Sequence, residues 1–327
     1  MRAWLCREFG GVEKLSLEDI PSPLIRAEGV RIKIHAAGVN FADTLMVAGL
    51  YQEKPPFPFI PGLEVAGVVT ELGSGVSGLK VGDRVLAIPG QGGFAEEAVV
   101  AAPLVYRIPD SMDFIAAAGF PIAYGTSHGA FAWRARLKRA ERVLVLGASG
   151  GVGLTAVEIA KAMGAEVIAA AGGAEKLAIA RRHGADHLID YQTEDIRARV
   201  KEITGGEGVE VVYDPVGGES FDAALRATAW EGRILIIGFA SGRIPQIPAN
   251  IALVKNIDLL GFYWSSYQRR QPAKMAQSFA TLFNWYEEGK LKPHISDRLD
   301  LREIAAAFTL LKTRRSTGKV VMTVARG

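Results

Sequence analysis

The alternation of apolar and polar residues divides the chain into two kinds of region. Up to about Gly119 the apolar runs are short: Val30–His35 alternates as a strand, Val65–Leu72 reads as another, and Gly and Pro punctuate them. Pro55-Pro56-Phe57-Pro58 cannot sit inside a central strand, because proline lacks the ladder donor. Beyond Gly119, β-branched runs alternate with helical stretches, the pattern of βα units on a parallel sheet. The runs Arg142–Leu146, Glu166–Ala171, His187–Asp190, Glu210–Asp214, Arg233–Phe239 and Ile257–Phe262 predict six strands. Between them, helices are predicted over Val152–Met163, Glu175–His183, Glu194–Ile203 and Ser220–Ala229, with Gly164 and Gly184 as stops and Thr193 as an N-cap ahead of Glu194 and Asp195. After Trp264 follow an amphipathic helix from about Pro272 to Glu288, another from Arg302 to Lys312, and a strand Lys319–Val324. This tail is too short to be a domain and is expected to return to the first one. The predicted organisation is α/β: a β-rich domain over 1–118, a doubly wound parallel sheet over 119–264, and a returning segment over 265–327.

Composition changes this picture little. The 327 residues suit about two domains at roughly 150 residues each, and 49% hydrophobic with 22% charged is globular rather than disordered. Charges are interspersed with a net of +3, so nothing resembles a nucleic-acid-binding stripe. No apolar run approaches the ~18 residues of a membrane span, and Met1-Arg2-Ala3-Trp4 opens no signal-type segment, which predicts a cytoplasmic protein. Cys6 is the sole cysteine, so neither an internal disulfide nor a cysteine-rich zinc site is expected.

Candidate chemistry centres on Gly147-Ala148-Ser149-Gly150-Gly151-Val152-Gly153, between the strand Arg142–Leu146 and the helical run that follows. In a dinucleotide fingerprint Gly150 lets a pyrophosphate approach the backbone, Gly153 permits close helix–strand packing, and the helix-start amides meet negative charge. Ala148 replaces one glycine of the pattern. The same residues formally fit a G-x-S-x-G nucleophile elbow, with Asp214, Asp258 or Asp297 and His294 as partners, although an elbow leaves the continuation to Gly153 unexplained. An NAD site carries an acid at the end of the second strand, about 20 residues on. Here that strand runs into Gly172-Gly173 without one, and Lys176 follows, which favours a 2′-phosphate and hence NADPH; a solvated lysine is the plain alternative. His183 and His187 have metal-like spacing, but Gly184 between them reads as a helix end.

Several motifs in order extend the signal: Phe9-Gly10-Gly11, Ala36-Ala37-Gly38-Val39-Asn40 with Asp43 and Tyr51, Pro61-Gly62-Leu63-Glu64-Val65-Ala66-Gly67, Val81-Gly82-Asp83-Arg84-Val85, Gly92-Gly93-Phe94-Ala95-Glu96, Asp190-Tyr191 and Tyr213-Asp214-Pro215-Val216-Gly217. With the glycine turn they resemble the zinc-free NADPH:quinone oxidoreductase (zeta-crystallin-like) branch of the medium-chain dehydrogenase/reductase superfamily, over essentially the whole chain. The resemblance implies a GroES-like, partly open β-barrel catalytic domain beside a Rossmann domain, and homodimers paired through Ile257–Phe262. It places Asn40, Tyr51 and Thr126 against nicotinamide or substrate, with Asn40 and Tyr51 as the catalytic pair. Gly150, Gly151 and Val152 would meet the pyrophosphate, and Gly172, Lys176 and Tyr191 the adenosine phosphate. Ser149, Gly173 and Val216 complete the expected cofactor set with Phe239 and Ala240, which fall at a strand's carboxyl end, where ligands collect. As residues alone, Tyr191 and Phe239 could equally be packing aromatics and Asn40 a turn residue. Zinc-dependent relatives carry Cys and His where this chain has Asn40 and Leu63, so no metal is expected. The expected activity is NADPH-dependent reduction of a quinone or similar conjugated carbonyl. Reduction of an enone or enoyl thioester, with Tyr51 as proton donor, stands beside it, as does a non-catalytic NADPH-binding role.

Overall fold

A computed structural model describes residues 1–324. The last three residues of the returning segment 265–327 lie outside the described residues. The chain divides into two compact units: Met1–Ile122, Gln268–Phe283 and the residues from Pro293 form one, and Ala123–Tyr267 with Asn284–Lys292 form the other.

The second unit is built on six parallel strands in the spatial order His187–Asp190, Glu166–Ala171, Arg142–Leu146, Val209–Asp214, Thr228–Ile236, Asp258–Gly261. In chain order this is 3-2-1-4-5-6, the Rossmann arrangement, with its switch between Arg142–Leu146 and Val209–Asp214. Val143, Leu144, Val145, Val167, Ile168 and Val212 are wholly buried. A parallel sheet is covered on both faces, so its strands read as unbroken apolar runs, and that is why the sequence located them. Helices fall over Gly151–Ala162, Ala174–Arg182, Ile196–Ile203 and Gly218–Ala227. Gly164 (φ 84°) and Gly184 (φ 106°) stop two of them in the left-handed region.

Three expectations need correction. Thr193 is not the N-cap: its amide and that of Glu194 bond Asp190 O in a turn, leaving Asp195 to cap the Ala198 amide at 2.7 Å. The strand predicted over Arg233–Phe239 spans Thr228–Ile236, because a register shift beside Val209 and the positive φ of Glu231 absorb the intervening residues. Its end comes earlier because the Ile237 and Gly238 amides both turn onto Asp214 O, so Phe239 lies in the loop beyond.

The first unit holds a mostly antiparallel sheet whose pairing runs through Ile295–Asp300, Lys319–Thr323, Gly29–Val39, Glu64–Leu72, Arg84–Ala87 and Val105–Arg107. Glu97–Ala101 adds to the first half of Gly29–Val39 while Lys319–Thr323 takes its second half, so one long strand serves two neighbours. The pairing path stays open among the described residues, consistent with a partly open barrel. Ile32, Ile34, Val65, Val69, Val85, Phe94 and Phe308 fill its core. Two elements were not revealed by sequence periodicity: in this unit a short helix Phe41–Val47, which carries part of the site, and in the second unit a π-helical turn Ala130–Ala135. Neither has the length that makes an apolar period visible.

Candidate functional site

In the second unit the glycine turn separates two requirements that a motif merges. A Cβ at Gly153 would lie 2.1 Å from Gly147 O and 3.0 Å from Ala148 Cα, so packing alone demands glycine there. A Cβ at Gly150 would meet only Gly147 O, at 3.4 Å. The protein leaves open space beside Gly150, which is the cap of the helix beginning at Gly151. The first amides of any helix have no intrahelical acceptor, so Gly151, Val152 and Gly153 offer donors there. These residues fit a pyrophosphate. Gly147 carries the left-handed φ (59°) and Ser149 does not, so the strain of the turn is not on the serine as a nucleophile elbow requires. Two of the elbow's proposed partners are also engaged elsewhere: Asp214 Oδ1 accepts the Val216 and Gly217 amides, and His294 Nε2 pairs with Thr317 Oγ1.

Hydroxyls buried under this turn fix its surroundings. Ser127 Oγ donates to Val152 O (3.0 Å) and lies 2.9 Å from both Thr155 Oγ1 and Tyr213 OH. Thr155 Oγ1 reaches Ala123 O (3.1 Å), so the segment carrying Thr126 is tied to the first turn of the glycine helix. Burial raises the Tyr213 phenol well above its ordinary range and keeps it protonated. Asp214, wholly buried, is pushed up to about 6 by desolvation against the pull of its two amide donors. Its bonds shape the turn that sets Val216 against Gly147, where a Cβ would come 3.0 Å from Val216 Cγ2. Ala240 N bonds Pro215 O (3.1 Å), and Phe239 Cδ1 lies 3.3 Å from a Cβ position on Gly217. The structure thus brings Gly150–Val152, Val216, Phe239 and Ala240 to one end of the sheet, with Thr126 tied in through Ser127.

At the end of the second strand no acid is present, as the sequence predicts. Gly172 allows Tyr191 and Gln192 to close over it, since a Cβ there would lie 3.1 Å from Tyr191 Cε2 and 3.0 Å from Gln192 Nε2. Gly173 caps the helix carrying half-buried Lys176 in its first turn. The sequence offered Asp190 only within the Asp190-Tyr191 motif and without a role: its Oδ1 accepts the Gly173 (3.0 Å) and Gln192 (3.1 Å) amides and so shapes this end. Its signal was the apolar strand His187–Asp190 closing on an acid. His183 and His187 do not converge: Nδ1 of the first pairs with Glu158 Oε1 and Nε2 of the second with Glu166 Oε1, each at 2.7 Å.

In the first unit Asn40 caps the helix Phe41–Val47, and its amide N–H donates to Asp43 Oδ2 at 2.8 Å. Its side chain lies in a buried polar group. Lys319 Nζ donates to Asn40 Oδ1 (2.7 Å), Glu64 Oε1 (2.7 Å) and Val39 O (3.1 Å), while Asn40 Nδ2 donates to Glu64 Oε1 (2.8 Å). Glu64 Oε2 accepts the Ile122 amide at 2.8 Å. Burial pushes the Asp43 carboxyl up to about 7. Tyr51 is half-buried against the same unit's core. The donor set does not fit a catalytic zinc: Leu63 has no donor atom, and an ammonium already occupies Asn40 Oδ1. Glu64 and Lys319 were missed as site residues, although each is a charge beside a buried apolar run, Val65-Ala66 and Val320-Val321-Met322.

Residues 26–110 match the family model for the alcohol dehydrogenase GroES-like domain, and residues 151–281 the model for zinc-binding dehydrogenases. The chain is 43% identical over 325 residues to quinone oxidoreductase-like protein 2 homolog of Nematostella vectensis, covering 98% of this chain and 88% of that one. It is 34% identical to human quinone oxidoreductase, covering 98% and 97%. The structure of Escherichia coli quinone oxidoreductase complexed with NADPH superposes with a TM-score of 0.92 at 28% identity, covering 99% and 100%. The chain belongs to the quinone oxidoreductase family of the medium-chain dehydrogenases/reductases.

Proposed function

We propose that the protein catalyses zinc-independent, NADPH-dependent reduction of a quinone or similar conjugated carbonyl. The observation that carries this reading is the space beside Gly150 at a helix start, in a chain matched along its length by quinone oxidoreductases, one of them an NADPH complex. NADPH supplies the hydride. Gly150, Gly151 and Val152 hold its pyrophosphate, with Ser149 behind them. Gly172, Gly173, Lys176 and Tyr191 receive the 2′-phosphate, which no acid at the end of the second strand repels. Thr126, Val216, Phe239 and Ala240 orient the nicotinamide half and exclude water, while Asn40 and Tyr51 orient the acceptor. With Asn40 and Leu63 in the zinc-ligand places, the acceptor's own conjugation supplies the electrophilicity that a Lewis acid gives a simple aldehyde. Lys176→Ala then raises the NADPH KM about tenfold and leaves that for NADH unchanged.

Purified protein, treated with a chelator, is assayed for NADPH oxidation with a simple quinone, an enone and an enoyl thioester. Quinone-selective turnover supports the reading. Selective alkene reduction, abolished by Tyr51→Phe, replaces it with the enone and enoyl thioester reading, in which Tyr51 protonates carbon.

The sheet edge at Asp258–Gly261 is unpaired among the described residues, and Leu253 and Val254 nearby are each 76% exposed. A second copy pairing along this edge would form a homodimer, read out by light scattering on a size-exclusion column. None of the described helices is long and apolar enough to cross a membrane, and a cytoplasmic location accompanies this reading.

A further inference from the structure

Resting on the assignment of Asn40 to the acceptor-facing site, we propose that Lys319 and Glu64 are positioning residues that lock the Asn40 side-chain amide as a hydrogen-bond donor toward a ligand carbonyl oxygen. A carboxamide has two nearly isosteric orientations that exchange its oxygen and nitrogen, and its neighbours decide between them. Here the neighbours leave no choice. The Lys319 ammonium only donates and sits 2.7 Å from Oδ1, whereas the Glu64 carboxylate only accepts and sits 2.8 Å from Nδ2. Reversal would set N–H against ammonium and carbonyl oxygen against carboxylate.

Both locking groups are saturated. The three Nζ donors of Lys319 go to Val39 O, Asn40 Oδ1 and Glu64 Oε1, and Glu64 Oε2 is held by the Ile122 amide. Glu64 is wholly buried and Lys319 is 6% exposed. Neither has a group left for a ligand, so each acts only through Asn40. The second Nδ2 hydrogen of Asn40 is the one strong donor of the group with no partner among the described residues, on a side chain at the edge of burial (8% exposed). A donor there selects ligands that present an acceptor oxygen, as a quinone or enone carbonyl or a carboxamide does.

The test compares wild type, Asn40→Ala and the double variant Lys319→Met/Glu64→Gln in NADPH-dependent quinone turnover. The double variant keeps side-chain volume and removes both charges together, so neither member of the Lys319–Glu64 pair is left buried without its partner. Its glutamine amide also donates, so it no longer dictates the Asn40 orientation. The expected result is a native melting temperature and unchanged 2′,5′-ADP binding, with acceptor kcat/KM reduced at least about tenfold, approaching Asn40→Ala. Wild-type kcat/KM in the folded double variant with Asn40→Ala impaired overturns the locking role alone. Full activity in Asn40→Ala overturns the assignment of Asn40 and the locking role with it. A measurement on the wild type removes any dependence on folding of the variants. The Asn40 side-chain amide, identified in 15N NMR spectra by its loss in Asn40→Ala, is expected to be as rigid as the backbone in 15N relaxation, with an order parameter of about 0.85. An order parameter below about 0.6 there, the mark of a mobile carboxamide, overturns the proposal.

Discussion

The glycine turn at 147–153 and the polar group around Asn40 are both candidate ligand surfaces, built on opposite principles. The turn is backbone: seven consecutive residues, bounded by a strand and a helix, shaped by the absence of side chains. The Asn40 group is side chain, and Lys319 reaches it across 279 positions of sequence. A backbone site tolerates no added atom where it packs and many where it does not. A side-chain site depends on charges balancing one another in a place without water. The difference teaches which substitutions break folding and which break only function.

The largest expected effect is at Gly153. Gly153→Ala drives a methyl into Gly147 O, so soluble yield and nucleotide binding fall together, with a stability loss of about 3 kcal/mol or more by thermal denaturation. Next comes the side-chain site: Lys319→Ala strands the buried Glu64 carboxylate and costs about 3–5 kcal/mol, whereas Lys319→Met/Glu64→Gln stays close to wild type in the same melt. Comparing the two variants separates charge balance from packing.

Asp214 sharpens the comparison through pH. Its folded value of about 6 lies above the ordinary aspartate value of 3.8, so the folded state binds more protons between these limits. Its contribution is therefore present below about pH 4 and is lost as pH rises to about 6, by ~3 kcal/mol. Asp214→Asn keeps an acceptor for the Val216 and Gly217 amides and removes the titration, so its melting temperature rises relative to wild type between pH 4 and 6. A constant difference across that range contradicts the assignment. The smallest effect is at Gly150: Gly150→Ala leaves stability within about 0.5 kcal/mol and raises the NADPH Kd about tenfold by fluorescence titration. Equal losses at Gly150 and Gly153 would erase the distinction between packing and ligand glycines.

How much of this was legible in the sequence follows from distance along the chain. Arg142–Leu146 and Glu166–Ala171 were located to the residue because a doubly covered strand is apolar through its length, and the edge strand His187–Asp190 was located too, although Ile189 alone in it is buried. The Thr228–Ile236 strand was misplaced because its bulge interrupts that pattern and the preceding helix looks continuous with it. In the site, Gly150–Gly153 and the acid-free end at Gly172 were readable as contiguous motifs. Asn40 was identified through family resemblance, but its partners were not, since no local rule connects residue 40 to 64 and 319. The role of Asp190 was invisible for a related reason: it is a bond to Gly173, the cap of the helix that follows the neighbouring strand.

The sequence by itself determined the sheet of the second unit, the glycine turn and the family, because apolar periodicity and glycine spacing are local consequences of burial and backbone sterics. Only the tertiary structure decided that Asn40 is held between an ammonium and a carboxylate. It also decided that the space at Gly150 is open where that at Gly153 is filled. Both depend on which atoms meet after the chain has folded back on itself, and electrostatic satisfaction in a buried site is a property of that meeting rather than of any residue in it.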